Sequence, residues 1–260
     1  MEFSKRNANV VICAFVCVFS LYCHQNDHSK SSVPSVAPKT ILTFLGAPGA
    51  GKGTLAKRVV EELHFKSLST GDLCREEIAS GSEKGKLIAQ YSMQTGLVPD
   101  EMIAQMVEVW LRKYAGNEPI ILDGYPRTQK QAAIFAELLK NKFSDYVFGV
   151  VFLEASDEEE IAQRIANRMV CQKCKAVHSR TCLRNPDILV CECCGSALCR
   201  RADDEPEVVR VRLKGFVHHN NEIISYYHKI GIHVELVNVT HRTSAEIFED
   251  FKKILAVYAA

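Results

Sequence analysis

Gly46 to Thr54 read GAPGAGKGT, a run of glycines around one lysine that is suited to holding phosphate. Glycines at 46, 49, 51 and 53 let the backbone turn without Cβ clashes, so that successive N–H groups converge on phosphate oxygens. Lys52 adds a mobile positive charge, and Ala50 completes the turn. Gly46, Gly51 and Lys52 keep the GxxxxGK spacing, but Gly53 stands where a Ser or Thr usually follows the lysine. The hydroxyl comes one residue late, at Thr54. A carboxylate, Asp123, closes the apolar run 120–122, and Arg127 follows four residues later. Arg75, Arg164, Arg168, Arg201 and Arg212 bring further positive charge, although each alone reads equally well as a solvated helix residue. Convergent Arg, Lys and Mg²⁺ stabilise the charge spread over a transferring phosphoryl group, which asks little covalent chemistry of the protein. Cys171 and Cys174, then Cys191 and Cys194 after sixteen intervening residues, form two CxxC knuckles with the spacing of a tetrahedral zinc site.

These residues need a scaffold that brings them to one place. From Thr40 onward short apolar runs alternate with helical stretches, which predicts a parallel sheet wound on both faces. Strands are expected at 41–45, 66–68, 120–122, 147–153 and 233–237. Helices are expected at 55–63, 72–79, 84–95, 100–113, 129–140, 157–168, 206–228 and 244–256, with Arg164 and Arg168 one turn apart on one helical face. The fold class is therefore α/β, a five-stranded parallel sheet flanked by helices. Three consecutive helices between the second and third strands exceed what a crossover needs and imply a small subdomain at 69–98. A second insert, 167–204, carries the cysteines, which leaves 40–68, 99–166 and 205–260 as the core and 1–39 as an N-terminal leader or extension.

Composition fits that picture. The 260 residues are 47% hydrophobic and 24% charged, with a net charge of +1, so neither a general nucleic-acid surface nor a membrane-attracting basic face is indicated. Seven of the eleven cysteines fall within the 29 residues from Cys171 to Cys199, which argues for metal rather than a disulfide framework. Four thiolates leave no open position for water, and the insert has few large apolar side chains with which to build its own core, so zinc there is expected to be structural. Cys193 and Cys199 could compete as ligands, but Cys191 with Cys194 reproduces the CxxC-G turn.

The GxPGxGKGT loop resembles that of the nucleoside monophosphate kinases, and of adenylate kinases most closely. Four further segments carry the resemblance in family order, from about residue 41 to 255. Ser69-Thr70-Gly71-Asp72-Leu73-Cys74-Arg75 is similar to STGDxLR, though without the family Thr70 or Asp72 serves as well to cap a helix. Gly96-Leu97-Val98-Pro99-Asp100-Glu101 is similar to the stretch lining the acceptor base, one residue short, and equally reads as a helix stop and restart. Leu122-Asp123-Gly124-Tyr125-Pro126-Arg127-Thr128 resembles LDGFPRT with Tyr125 for the phenylalanine, and RxxxR before the insert with RRADDxPEVVRxRL after it resembles the long-lid enzymes.

The resemblance implies a Mg²⁺-dependent enzyme that converts ATP and AMP to two ADP. It implies that Gly49 to Thr54 cradle ATP with Arg164, Val177 and His178, and that Asp123 orders the water shell of Mg²⁺. It implies that Thr70, Gly71, Arg75, Gly96, Leu97, Val98, Gly124, Tyr125, Pro126, Arg127 and Gln131 hold AMP, with Arg201 and Arg212. Lys52, Arg127, Arg168, Arg201 and Arg212 would stabilise the transferring phosphoryl, and Asp203 and Asp204 would form the lid hinge. His178 stands where the family often has a tyrosine. A GTP:AMP or UMP/CMP kinase is the near alternative; Thr70, Gln131 and the long lid favour AMP as acceptor over a pyrimidine nucleotide, and the choice of ATP or GTP as donor stays open. A nucleotide-switched zinc-ribbon nucleic-acid-binding protein is the distant one, disfavoured by near-neutral charge and a ribbon without aromatic residues.

Residues 1–39 include Lys5 and Arg6 ahead of the apolar run 10–21, too short for a membrane span of about 20 residues. The only nearby small-residue cleavage pattern, Ser35-Val36-Ala37, lies well beyond that run. A cytoplasmic monomer without stable membrane association is expected, with organelle targeting, export or a start codon set too far upstream as alternatives.

Overall fold

The computed structural model of the protein describes residues 39–95, 97–201 and 204–258. Its centre is β1, Thr40–Gly46, in which every residue is buried. Such a strand must be covered on both faces, and alternation divides its side chains between two layers. Leu42 and Phe44 pack on one face with Leu55 and Val59 of α1 (Lys52–Leu63) and Phe248 and Phe251 of α8 (Ser244–Leu255). Ile41 packs on the other with Val107 and Leu111 of α4 (Asp100–Tyr114) and Phe135 of α5 (Gln129–Lys142). Leu45 meets Ile223 and Tyr227 of α7 (Pro206–Lys229) on that same side. Each fully buried aliphatic or aromatic side chain contributes about 1.5–3 kcal/mol, so the sheet is fixed from both sides.

The sheet has the order β2-β3-β1-β4-β8, all neighbours parallel, with β2 at Lys66–Ser69, β3 at Ile120–Asp123, β4 at Val147–Glu154 and β8 at Val234–Asn238. All five expected strands are present. Register sets Phe44 and Ser69 each beside Asp123, so β2 and β3 end at one level and β1 runs two residues further, to Gly46. In a sheet of this kind the ligand crevice lies beyond the carboxyl ends of the strands, beside the point where strand order reverses. Three helices, α2 (Thr70–Ala79), α3 (Glu83–Thr95) and α4, join β2 to β3. The first two approach so closely that a Cβ on Gly85 would lie 2.1 Å from the Glu77 carbonyl oxygen.

The cysteine segment differs from expectation in two ways. Helix α6 is Glu158–Ala166 and stops before Arg168, because Asn167 caps it and the chain turns extended. Arg168 opens β5 (Arg168–Cys171) instead of completing a helical face with Arg164. With β6 (Val177–Ser179) and β7 (Leu198–Cys199), β5 forms a three-stranded antiparallel sheet of order β6-β5-β7. The segment also has a small core after all: Met169, Ala176, Leu183 and Leu198 are buried together with Cys171 and Cys191. Two members of that core are themselves metal-ligand candidates, so its packing and its thiol chemistry are one feature. No described helix is long and apolar enough to cross a membrane.

Candidate active site

The phosphate loop leaves β1 at Gly46, whose φ is +143°. A Cβ there would stand 2.7 Å from the Leu153 carbonyl oxygen, so only glycine lets the loop leave the sheet at this point. Helix α1 begins at Lys52, and the loop around Gly49, Ala50 and Gly51 turns its N-terminus toward the crevice. The Lys52 Nζ donates to the carbonyl oxygens of Gly46 at 2.7 Å and Ala47 at 2.9 Å, which holds the ammonium against the loop it serves. Thr54 is exposed on the first turn.

Asp123 lies close against the glycine that follows the lysine. An added Cβ on Gly53 would sit 3.2 Å from the Asp123 Oδ2, so a serine or threonine there would crowd the carboxylate at the end of β3. Burial pushes the Asp123 carboxyl up, while the charges of Lys52 and Arg127 pull it down. Asp123 as a residue is half-buried.

On the other side of Asp123 two guanidinium groups converge. A Cβ on Gly71 would lie 3.2 Å from both terminal nitrogens of Arg75 and 3.6 Å from the Arg127 Nη2. Gly124, with φ of +75°, leaves the same kind of space, 3.0 Å from the Arg127 Nη2. The Arg127 Nε donates to the Gly124 carbonyl at 2.8 Å, and the Arg75 Nη2 donates to the Asp72 Oδ1 at 2.6 Å. Burial alone would raise the Asp72 carboxyl, but Arg75 and the Ser69 hydroxyl hold it below the usual carboxylate range. Two cations this close repel each other unless an anion lies between or beside them.

Thr70 is 2% exposed and its hydroxyl donates to the Gly124 carbonyl at 2.8 Å, tying α2 to the end of β3. Gln131 is also buried. Its Oε1 accepts from the Arg127 backbone N–H at 2.7 Å, and its Nε2 donates to the Asp100 Oδ1 at 2.9 Å. Asp100 accepts from the Thr128 hydroxyl as well, at 2.8 Å. Asp100 thus pins the loop bearing Arg127 from the start of α4, a role that its place in the sequence, one residue after Pro99, did not indicate. Tyr125 is buried against Phe135, and burial pushes its hydroxyl up. Val98 is half-buried beside the cluster that contains Ile103 and Val107. Gly96, Asp203 and the side chain of Arg212 lie outside the described residues.

A cavity of about 140 Å³ joins the two halves, lined by Gly46 and Lys52 on one side and Leu97, Gly124, Pro126 and Arg127 on the other. Its remaining wall is one face of α7, with Phe216, His219, Asn220 and Ile223. None of these four belongs to a motif. The available signal was their helical spacing, which puts them on one stripe.

Two of the arginines before the cysteine segment meet protein groups. The Arg164 Nη2 donates to the Glu160 Oε1 at 2.6 Å and to the Val239 carbonyl at 2.9 Å. Arg168 forms a two-pronged ion pair with Asp204, whose side chain is fully buried, with the Nε to Oδ2 bond at 2.8 Å. That pair closes the base of the three-stranded sheet by joining its entry to its exit. Arg201 contributes to the field at both Asp72 and Asp123.

The four knuckle cysteines are brought together, every Sγ within 4.8 Å of the others. Cys171 and Cys194 approach to 3.4 Å, Cys174 and Cys191 to 3.5 Å. The knuckles repeat one geometry: Lys175 N–H donates to the Cys171 carbonyl at 3.0 Å and Gly195 N–H to the Cys191 carbonyl at 2.8 Å, each donor in the left-handed region. Hydrogen bonds from Ser196 hold the Cys194 thiol down at about 6. Donor set and spacing fit a tetrahedral soft-metal centre. Val177 and His178 lie on β6, where the His178 Nε2 comes within 3.3 Å of the Cys191 Sγ. Cys199 accepts from the Gln172 side-chain amide, whereas Cys193, exposed near Lys57, keeps its Sγ within 4.8 Å of the Cys191 Sγ and of a His178 ring nitrogen, a second grouping that shares Cys191 with the four.

A parallel sheet with this phosphate loop, an aspartate on the adjoining strand end and a second cationic pocket across it defines a P-loop nucleotide kinase. Residues 44–232 match the family model described as adenylate kinase. The adenylate kinase of Fervidobacterium nodosum is 42% identical over 186 residues, covering 72% of this chain and 84% of that protein. That of Archaeoglobus fulgidus is 42% identical over 193 residues, 74% and 87% respectively. That of Methanosarcina barkeri is 37% identical over 220 residues, 84% and 99%. The chain belongs to the adenylate kinase family.

Proposed function

We propose that this member of the family transfers a phosphoryl group reversibly from ATP to AMP, giving two ADP. One observation carries the reading: two cation sets, Lys52 with the phosphate loop and Arg75 with Arg127, flank Asp123 within one crevice. A hydrolase that attacks with water needs only the first set, whereas a kinase whose acceptor is itself a phosphate needs both.

On this reading Gly49 to Thr54 and Lys52 hold the donor phosphates, with Arg164, Val177 and His178 toward the donor nucleoside. Thr70, Gly71, Arg75, Leu97, Val98, Gly124, Tyr125, Pro126 and Gln131 form the acceptor pocket, with Gly96 in the same stretch. Arg127 grips the acceptor phosphate, and Arg168, Arg201 and Arg212 gather on the transferring group. Arg168 then exchanges Asp204 for phosphate as the lid closes. No covalent intermediate or obligatory general base is required, because positioning and charge stabilisation carry the step. Asp123 would hold Mg²⁺ through its water shell, and that ion, bound with the nucleotide, neutralises phosphate charge. Segments 69–98 and 167–204 act as mobile acceptor and lid units that exclude water, and Zn²⁺ on Cys171, Cys174, Cys191 and Cys194 is structural. The enzyme acts as a cytoplasmic monomer that needs no nucleic acid.

The test is a coupled assay crossing ATP and GTP with AMP, UMP, CMP and GMP. ATP with AMP should exceed every other pair by about tenfold or more, well within what a pocket that hydrogen-bonds its substrate can supply. Faster turnover with a pyrimidine acceptor or with GTP would overturn the assignment of substrates.

A further inference from the structure

Apart from the cysteine cluster, α7 carries a second set of metal-ligating side chains. His218, His219 and Glu222 each place one ligand atom within 4.8 Å of the other two. The Glu222 carboxylate lies between the imidazoles, with Oε1 3.6 Å from the His218 Nε2 and Oε2 3.4 Å from the His219 Nδ1. All three project from one helix of 24 residues, at spacings of one and four, so no loop need rearrange to bring them together. His219 also forms part of the cavity wall that faces Lys52 and Arg127.

A second cluster, Asp157, Glu160 and His241, shows what a purely architectural grouping looks like. There Asp157 caps α6, and Glu160 accepts from Arg164 and from the His241 backbone N–H. On α7 the groups that face one another are two imidazoles and one carboxylate, a ligand set for metal with positions left open for water or phosphate.

We propose that His218, His219 and Glu222 bind a divalent transition-metal ion of the Zn²⁺ or Ni²⁺ class at the rim of the phosphate crevice, and that its binding slows turnover. Two nitrogen donors favour such ions over Mg²⁺, a hard cation that takes oxygen ligands and keeps its waters, so the site operates in the presence of the Mg²⁺ the nucleotide requires. Slowing follows from position: an ion on His219 adds positive charge and bulk to the wall opposite Lys52. This second part rests on the crevice being the nucleotide site.

The experiment uses the full chain, loaded with zinc at the cysteine cluster, and titrates Ni²⁺ against it in excess Mg²⁺ while mass spectrometry follows zinc retention. One Ni²⁺ should bind beyond the retained zinc. His218→Ala and Glu222→Gln should each weaken it by about tenfold or more, since loss of even an outer-shell partner costs about 10–100-fold. Ni²⁺ should slow the parent at concentrations that leave His218→Ala unaffected, with equal turnover of the two in the absence of Ni²⁺. Equal Ni²⁺ affinity in parent and variants, or equal inhibition of both, would overturn the proposal. The binding arm reads the site even if the chain turns over no adenine nucleotide, so failure of the functional reading remains distinguishable.

Discussion

The crevice and the cysteine lid hold their functional groups in different ways. In the crevice, Lys52, Asp123 and Arg127 are positioned by strand ends whose own residues are buried on both faces, and by glycines that leave room for charged side chains. In the lid the small core includes Cys171 and Cys191, so the groups that would bind metal are also the groups that pack. Hydrophobic burial in a large sheet tolerates the loss of one functional side chain, because the scaffold does not depend on it. The cysteine segment has only a small core, two of whose members are thiols, so on the proposed zinc reading its order leans on ligation.

The sharpest way to break this comparison is to remove charge from the crevice. Lys52→Met and Arg127→Ala should each lower turnover by about 10³-fold or more, because on the proposed reading both groups face charge that develops in transfer, while leaving the melting temperature close to the parent's. Turnover within about tenfold of the parent, measured on protein of unaltered melting, would show that these residues do not carry the reaction.

The lid should respond the other way. Stripping the metal, or introducing Cys174→Ser or Cys191→Ser, should lower the melting temperature by about 5 °C or more, corresponding to roughly 2 kcal/mol, and raise the KM for the donor more than that for the acceptor. Metal content, melting and kinetics on the same preparations decide it. Parental melting without metal, or an exchangeable water on the bound ion, would refute a four-thiolate structural site.

The smallest effect is expected from the N-terminal segment. Removing residues 1–39 should change turnover and melting little, within about twofold for turnover, since the family match begins at residue 44. A full-length fluorescent fusion found in the secretory lumen would contradict the cytoplasmic, reducing setting that thiolate ligation favours.

Legibility varied with how local the cause was. The three central strands could be read because a strand covered on both faces must be a continuous apolar run, as 41–45, 120–122 and 147–153 are, whereas β2 and β8 at the sheet edges are only partly buried. The phosphate loop could be read because its backbone geometry needs glycine at fixed offsets. The lid strands could not: β6 and β7 are three and two residues long and are set by pairing with β5, so no periodicity develops within them. Arg168 was misplaced onto a helix because its i, i+4 spacing to Arg164 suits one, whereas the chain turns extended at Asn167 and a buried Asp204, 36 residues away, receives its charge.

By itself, then, the sequence determined the parallel α/β class, the phosphate loop, the strand-end aspartate and the cysteine pairs, all of which follow from neighbours a few residues apart. Tertiary structure alone decided which charges meet: Arg75 with Arg127 over Gly71, Gly53 yielding to Asp123, Asp100 steadying the Arg127 loop, and the α7 face with His219 closing the cavity. Those arrangements depend on through-space approach between segments tens of residues apart. Packing, and not chain neighbourhood, sets such distances.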